Sequence, residues 1–120
     1  PVVVPADGYL VLSLKCDPAL NGGLEGAYCY ETTLGPMNPG FSLNNEGDDL
    51  TVRWHLTTID HVSWTADDVT EGASWSLSDQ AMDDVSNDDG TNWCDANGEY
   101  FSDATTSLLG TPGTANGTCP

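Results

Sequence analysis

The chain has 120 residues, 38% of them hydrophobic, and carries 19 acidic residues against two basic ones for a formal net charge of −17. That length holds one domain, residues 1–120, with an economical core. The charge excludes nucleic acid and anionic membranes as partners, because phosphate binding needs Lys and Arg to displace counterions. No apolar run approaches the roughly 20 residues of a membrane helix, so no membrane insertion is expected. Three uses of the acidity compete: solubility in a salty or extracellular setting, Ca²⁺ binding, and attraction of a basic partner.

In chain order, "PVVVP" is a short β-branched run without a basic n-region, too short for a signal peptide. Pro5 to Gly8 reads as a turn, and "GYLVLSLKC" after it alternates, with Leu10, Leu12 and Leu14 on one side of a strand. "CDPALNGGLEG" is a loop by its Asp-Pro and Asn-Gly-Gly, "AYCYETT" a short strand and "LGPMNPG" a second loop. In the next region "FSL" enters, "NNEGDD" turns, "LTVRWHL" runs out and "TIDHVSW" returns. "GASWSL" reads as the last strand. Acids and turn formers dominate from Ser78 on, with one helical turn at most in "SDQAMDDVSN". The end, "TTSLLGTPGTANGTCP", reads as an ordered tail with Leu108 and Leu109 docked. Short strands at this spacing predict an all-β sandwich or barrel.

Four cysteines, Cys16, Cys29, Cys94 and Cys119, allow three pairings, of which sequence proximity favours Cys16–Cys29 and Cys94–Cys119. An even count in a lysine-poor chain fits an oxidising compartment, and the absence of Cys-x-x-Cys spacing argues against zinc.

"VVVPADGYLVL", "NNEGDDLTV", "IDHVSW", "GASWSL", "NDDGTNWC" and "GTPGTANGTC" occur in that order and closely resemble the bacterial lamin-tail domains. The resemblance spans almost the whole chain. Its most specific piece is the ending at Gly110, Thr111, Pro112, Gly113 and Asn116. It implies an Ig-like antiparallel β-sandwich without enzymatic activity, at the cell surface or secreted. It also implies strands before Pro1, so the chain corresponds to the last two-thirds of such a module. An upstream segment, a protein partner or a neighbouring subunit in a homo-oligomer or surface assembly is then expected to complete the sheet by strand donation.

The candidate chemistry is sparse. His55, expected on a strand opposite the core-facing pair Trp54 and Leu56, and His61 are the near-neutral bases, and neither neighbours a nucleophile motif. "DDVSNDDGTNWCD" gathers Asp83, Asp84, Asn87, Asp88, Asp89, Asn92 and Asp95, an oxygen-rich set for Ca²⁺, the one candidate cofactor. It departs from the EF-hand spacing, and turn chemistry at Asp88-Asp89-Gly90 accounts for the same letters. Trp93 beside Cys94 is expected to pack as a core anchor against a disulfide. Trp54, Trp64 and Trp75 are likewise expected to face the core. Tyr28, Tyr30 and Tyr100 are candidates for stacking a glycan, and Asn116-Gly117-Thr118 fits a glycosylation sequon but reads as a turn.

Overall fold

A computed structural model describes residues 3–25, 28–30 and 42–120. Among them the chain forms strands and 3₁₀ turns and no α-helix. The strands pair two by two. β1 (Leu12–Ser13) pairs in parallel with β2 (Tyr28–Cys29). β3 (Gly47–Trp54) and β4 (Thr57–Thr65) make the long antiparallel hairpin. β5 (Trp75–Leu77) pairs with β6 (Trp93–Asp95), and β7 (Glu99–Ser102) with β8 (Ser107–Leu109), both antiparallel. The parallel β1–β2 ribbon departs from the all-antiparallel expectation. The Cys16–Cys29 disulfide lies just beyond it, at a Cα separation of 5.4 Å.

The β3–β4 hairpin explains why this sequence makes a two-faced ribbon. Cross-strand partners share a face, so Asp48 with Trp64 and Leu50 with Val62 form one side, and Asp49 with Ser63 and Thr51 with His61 the other. The first side is half-buried. Gly47 enters the strand at φ 124°, a conformation closed to L side chains, and a Cβ there would lie 3.0 Å from the Trp64 carbonyl oxygen. "NNEGDD" is therefore a turn, with the Gly47 N–H donating to the Asn44 carbonyl, but it leads into β3 and is not the hairpin loop. The reversal is at His55-Leu56, with His55 in the left-handed region at φ 53°. The register slips between Val52 and Arg53, leaving Ile59 as the extra residue of a β-bulge.

This overturns the placement of Trp54 and Leu56 in the core. They lie at the reversal and are 69% and 100% exposed. The alternation holds over residues 10–15, but Leu10, Leu12 and Leu14 are exposed, as is Tyr9, while Val11, Ser13 and Lys15 turn inward, and only two residues complete a ladder. Val3 and Val4 are exposed outside any strand, and "LGPMNPG", Phe41 and all of "ETT" lie outside the described residues. The expectation that "GASWSL" ends the strands also fails, since β6, β7 and β8 follow. They are three or four residues long and set by pairing rather than by alternation. Leu108 and Leu109 are docked as expected, in β8.

The interior is thin. Among the described residues Cys29, Ala81, Ser78 and Asn87 are buried along with Gly110, and no side chain is less than 2% exposed. Helices long and apolar enough to cross a membrane are absent from the described residues.

Candidate functional site

The centre of the molecule is an indole pair. Trp75 on β5 and Trp93 at the start of β6 are diagonal neighbours in the ladder, and their rings stack at 4.4 Å with planes 20° apart. The Trp93 Nε1–H donates to the Asn87 carbonyl at 2.8 Å, which fixes the ring edge-on to the Ser86–Asp88 turn. The partner expected for Trp93 was a disulfide, and the ring lies against Trp75 instead. Cys94 does bond to Cys119, at a Cα separation of 5.7 Å, so the expected pairing of all four cysteines is met. Two disulfides fit an oxidising environment.

Three openings meet at this pair. A cleft of about 530 Å³ is lined by Tyr9, Leu10, Met82, Tyr100 and Pro112 as well as both indoles. A more apolar groove of about 410 Å³ runs between the pair and the inner face of the hairpin, walled by Leu43, Leu50, Val62, Trp64 and Val69. The Trp64 Nε1–H is tied to the Asn44 carbonyl at 2.9 Å, holding that indole along the groove. A small polar cavity of about 60 Å³ lies behind, with His61, Ser63, Asn87 and Asp88 in its wall. Tyr28 and Tyr30 line none of these, so the three tyrosines considered for glycan stacking do not form one row around Tyr100.

The histidines are not a pair. His55 stands in the reversal with its ring edge-on to Trp54 at 4.9 Å, while His61 lies opposite Thr51. The His61 Nε2 is 3.7 Å from Asp49 Oδ2 with both side chains half exposed or more, an arrangement of little energetic weight. Arg53, two residues before the reversal, has no carboxylate partner among the described residues.

The acids divide by what they hold. Asp83 accepts from the Val85 and Ser86 N–H groups, and Asp89 from the Thr91 N–H and hydroxyl. The Ser86 and Thr91 groups respectively hold these two carboxyls below the usual range. Elsewhere the Thr65 N–H does the same for Asp68, the Thr118 hydroxyl for Asp79, the Ser107 hydroxyl for Glu99 and the Thr105 N–H for Asp103. Asp84 and Asp95 are exposed on separate elements. No group of three or more His, Cys, Asp or Glu is placed to hold a metal among the described residues. Within the oxygen-rich run around Asn87, Asp83 and Asp89 thus cap turns, while Asn87 and Asn92 donate to Asp60 and to the Ser86 carbonyl.

Two features escape sequence reading. Asp60 accepts the Asn87 Nδ2–H at 2.8 Å across 27 residues, pinning the hairpin to the Ser86–Asp88 turn. Nothing in the spacing signals it. The closing "GTPGTANGTC" is the second, because its letters are visible but their partners are not. Asn116 Nδ2 donates to the Leu77 carbonyl at 2.8 Å while its Oδ1 accepts the Thr111 hydroxyl at 2.6 Å. Gly113 turns the chain at φ 77°, and Cys119 N–H reaches Ser78 Oγ. Gly110 is buried where a Cβ would meet Ser74 Oγ at 2.8 Å and the Tyr100 ring at 3.3 Å. The motif straps the tail along the end of β5, and the sequon asparagine is committed to that strap. Comparison with protein-family models, curated proteins and solved structures finds no match.

Proposed function

We propose that this chain is a non-enzymatic, extracellular structural module of the lamin-tail, Ig-like type, and that it works by assembling with another polypeptide element at the cell surface. The observation that carries the reading is the open aromatic groove over Trp75 and Trp93, together with the absence of any fully buried side chain among the described residues. A monomeric fold seldom leaves this much apolar surface to water; an interface or an added strand covers it. Two disulfides support the chain while it stands alone. The acidic surface is solubility charge in this reading, with its carboxylates engaged in turns rather than in a Ca²⁺ or glycan site.

The test is titration of the isolated chain with a neutral apolar dye such as Nile red, followed by indole fluorescence at rising protein concentration. The dye is expected to bind the groove and to be displaced as assembly proceeds. A chain that binds no dye has a closed core, and that result refutes the reading.

A further inference from the structure

Among the described residues, the hairpin reversal combines a cation without a carboxylate partner and bare apolar side chains. Val52, Trp54, Leu56 and Ile59 are 50%, 69%, 100% and 55% exposed, and no acidic residue occurs between Asp49 and Asp60. Arg53 sits among them without a carboxylate partner in a chain of 19 acids. The opposite properties meet at the base of the same hairpin. Asn87 is 8% exposed, and its amide is oriented by the Nδ2–H to Asp60, since the flipped amide would set oxygen against carboxylate. Its Oδ1 is therefore a buried acceptor with no donor. Asn87 and Asp88 form part of the wall of the 60 Å³ cavity, which shares Val62, Trp75 and Trp93 with the apolar groove. A cavity that small is far below the roughly 300–1,000 Å³ of a small-molecule site, and its polar wall calls for a compact donor. A guanidinium head supplies up to five donors and stacks on indole.

We propose that the hairpin tip of one copy docks head-to-tail on the base of a second. Trp54 and Leu56 lie along the groove beside Trp64 and the Trp75–Trp93 pair, and the Arg53 guanidinium pairs with the exposed Asp88 at the mouth of the polar cavity. The contact is heterologous: tip and groove lie at different places on one chain, so a pair keeps one free tip and one free groove, and the association propagates. It rests on the assembly reading above and names the partner as the chain itself. Both copies carry −17, so their long-range repulsion opposes the contact until salt screens it.

Sedimentation velocity of the native chain over a range of concentrations tests this. Association is expected to strengthen from about 0.01 M to about 1 M salt, as the Debye length falls from about 30 Å to about 3 Å. Leu56→Asp spoils the tip and Asp88→Arg the groove, both at exposed positions whose folding is checked by circular dichroism. Each variant alone is expected to associate at least about tenfold more weakly, the scale of losing one central contact. Their mixture is expected to recover a one-to-one dimer, because one intact tip then meets one intact groove. A chain monomeric under all conditions overturns the proposal, as does a mixture that yields no dimer. Self-association undiminished in both variants also overturns it while leaving the assembly reading standing. A Lys/Arg-rich peptide that displaces the dye from a chain that does not self-associate assigns the groove to a foreign basic partner, and overturns it too.

Discussion

Replacing Asn116 by alanine removes the clasp between the closing segment and β5. Two part-buried hydrogen bonds disappear, one to the Leu77 carbonyl at 2.8 Å and one from the Thr111 hydroxyl at 2.6 Å. At about 1 kcal/mol net for each bond, the loss is about 2 kcal/mol, with a further part of a kcal/mol if the Leu77 carbonyl finds no water. For a domain of this size about 1 kcal/mol moves Tm by roughly 3–5 °C, so Asn116→Ala is expected to melt about 6–10 °C lower. The assay is thermal unfolding by circular dichroism with both disulfides intact, so that Cys94–Cys119 holds the tail nearby in both proteins. Asn116→Asp sharpens it: the aspartate keeps the bond from Thr111 but faces the Leu77 carbonyl with no donor. Only its protonated form restores that donor, so the folded state raises its pKa. Stability from this bond is present below the ordinary carboxylate range and lost as pH rises through the raised value. The aspartate variant should therefore approach the wild-type Tm near pH 4 and fall away from it by pH 7. A Tm shift under about 2 °C for Asn116→Ala refutes the clasp, because bonds of that number and burial cannot be so cheap to lose.

The six carboxylates held by hydrogen bonds, Asp68, Asp79, Asp83, Asp89, Glu99 and Asp103, all have folded pKa values below their ordinary ones. Their contribution is present above the ordinary carboxylate range and lost as pH falls through the depressed values. In about 1 M salt, which screens the self-repulsion, Tm is expected to drop below about pH 4, and a Tm that climbs steadily toward pH 2 contradicts this. Loop-closure entropy for separations of 25 and 13 residues gives about 3.5 and about 3 kcal/mol for Cys94–Cys119 and Cys16–Cys29. Paired Cys→Ala variants should rank in that order by denaturant unfolding; a reversed ranking of more than about 1 kcal/mol means that one unfolded loop is already structured. Trp93→Phe keeps a ring on Trp75 but loses the bond to the Asn87 carbonyl, so a cost of about 1–2 kcal/mol is expected. The near-ultraviolet couplet of the stacked indoles should vanish with it, and its survival would show that the signal comes from elsewhere.

What the sequence made legible was local. Cysteine partners follow from proximity and Asp-Asp-Gly from turn chemistry. The return from "LTVRWHL" to "TIDHVSW" was legible as a reversal, although "NNEGDD", which leads into β3, has the richer turn composition and His55-Leu56 has none of it. The reversal is set instead by register: once Leu50 faces Val62 and Asp48 faces Trp64, the chain must turn at residues 55–56, whatever stands there. Trp54 was assigned to the core on the same alternation that correctly placed Trp64. Alternation says which residues share a face, and it is silent on how far the opposite layer extends. The late strands were missed for a related reason, since three or four residues give too little pattern to read without their partners.

The placement of charge gives the fold its functional polarity. Six carboxylates are spent on turn amides and hydroxyls, and each bond favours the ionised form, so the chain gains order from keeping these acids charged. Acids with that role cannot also be gathered into one site without surrendering the turns they hold. Between them lie the aromatic groove and the hairpin tip, two of the regions where apolar atoms meet water. In a chain this acidic, contact between two copies through its carboxylate-rich surface is opposed by like charge, so charge limits which surfaces can meet.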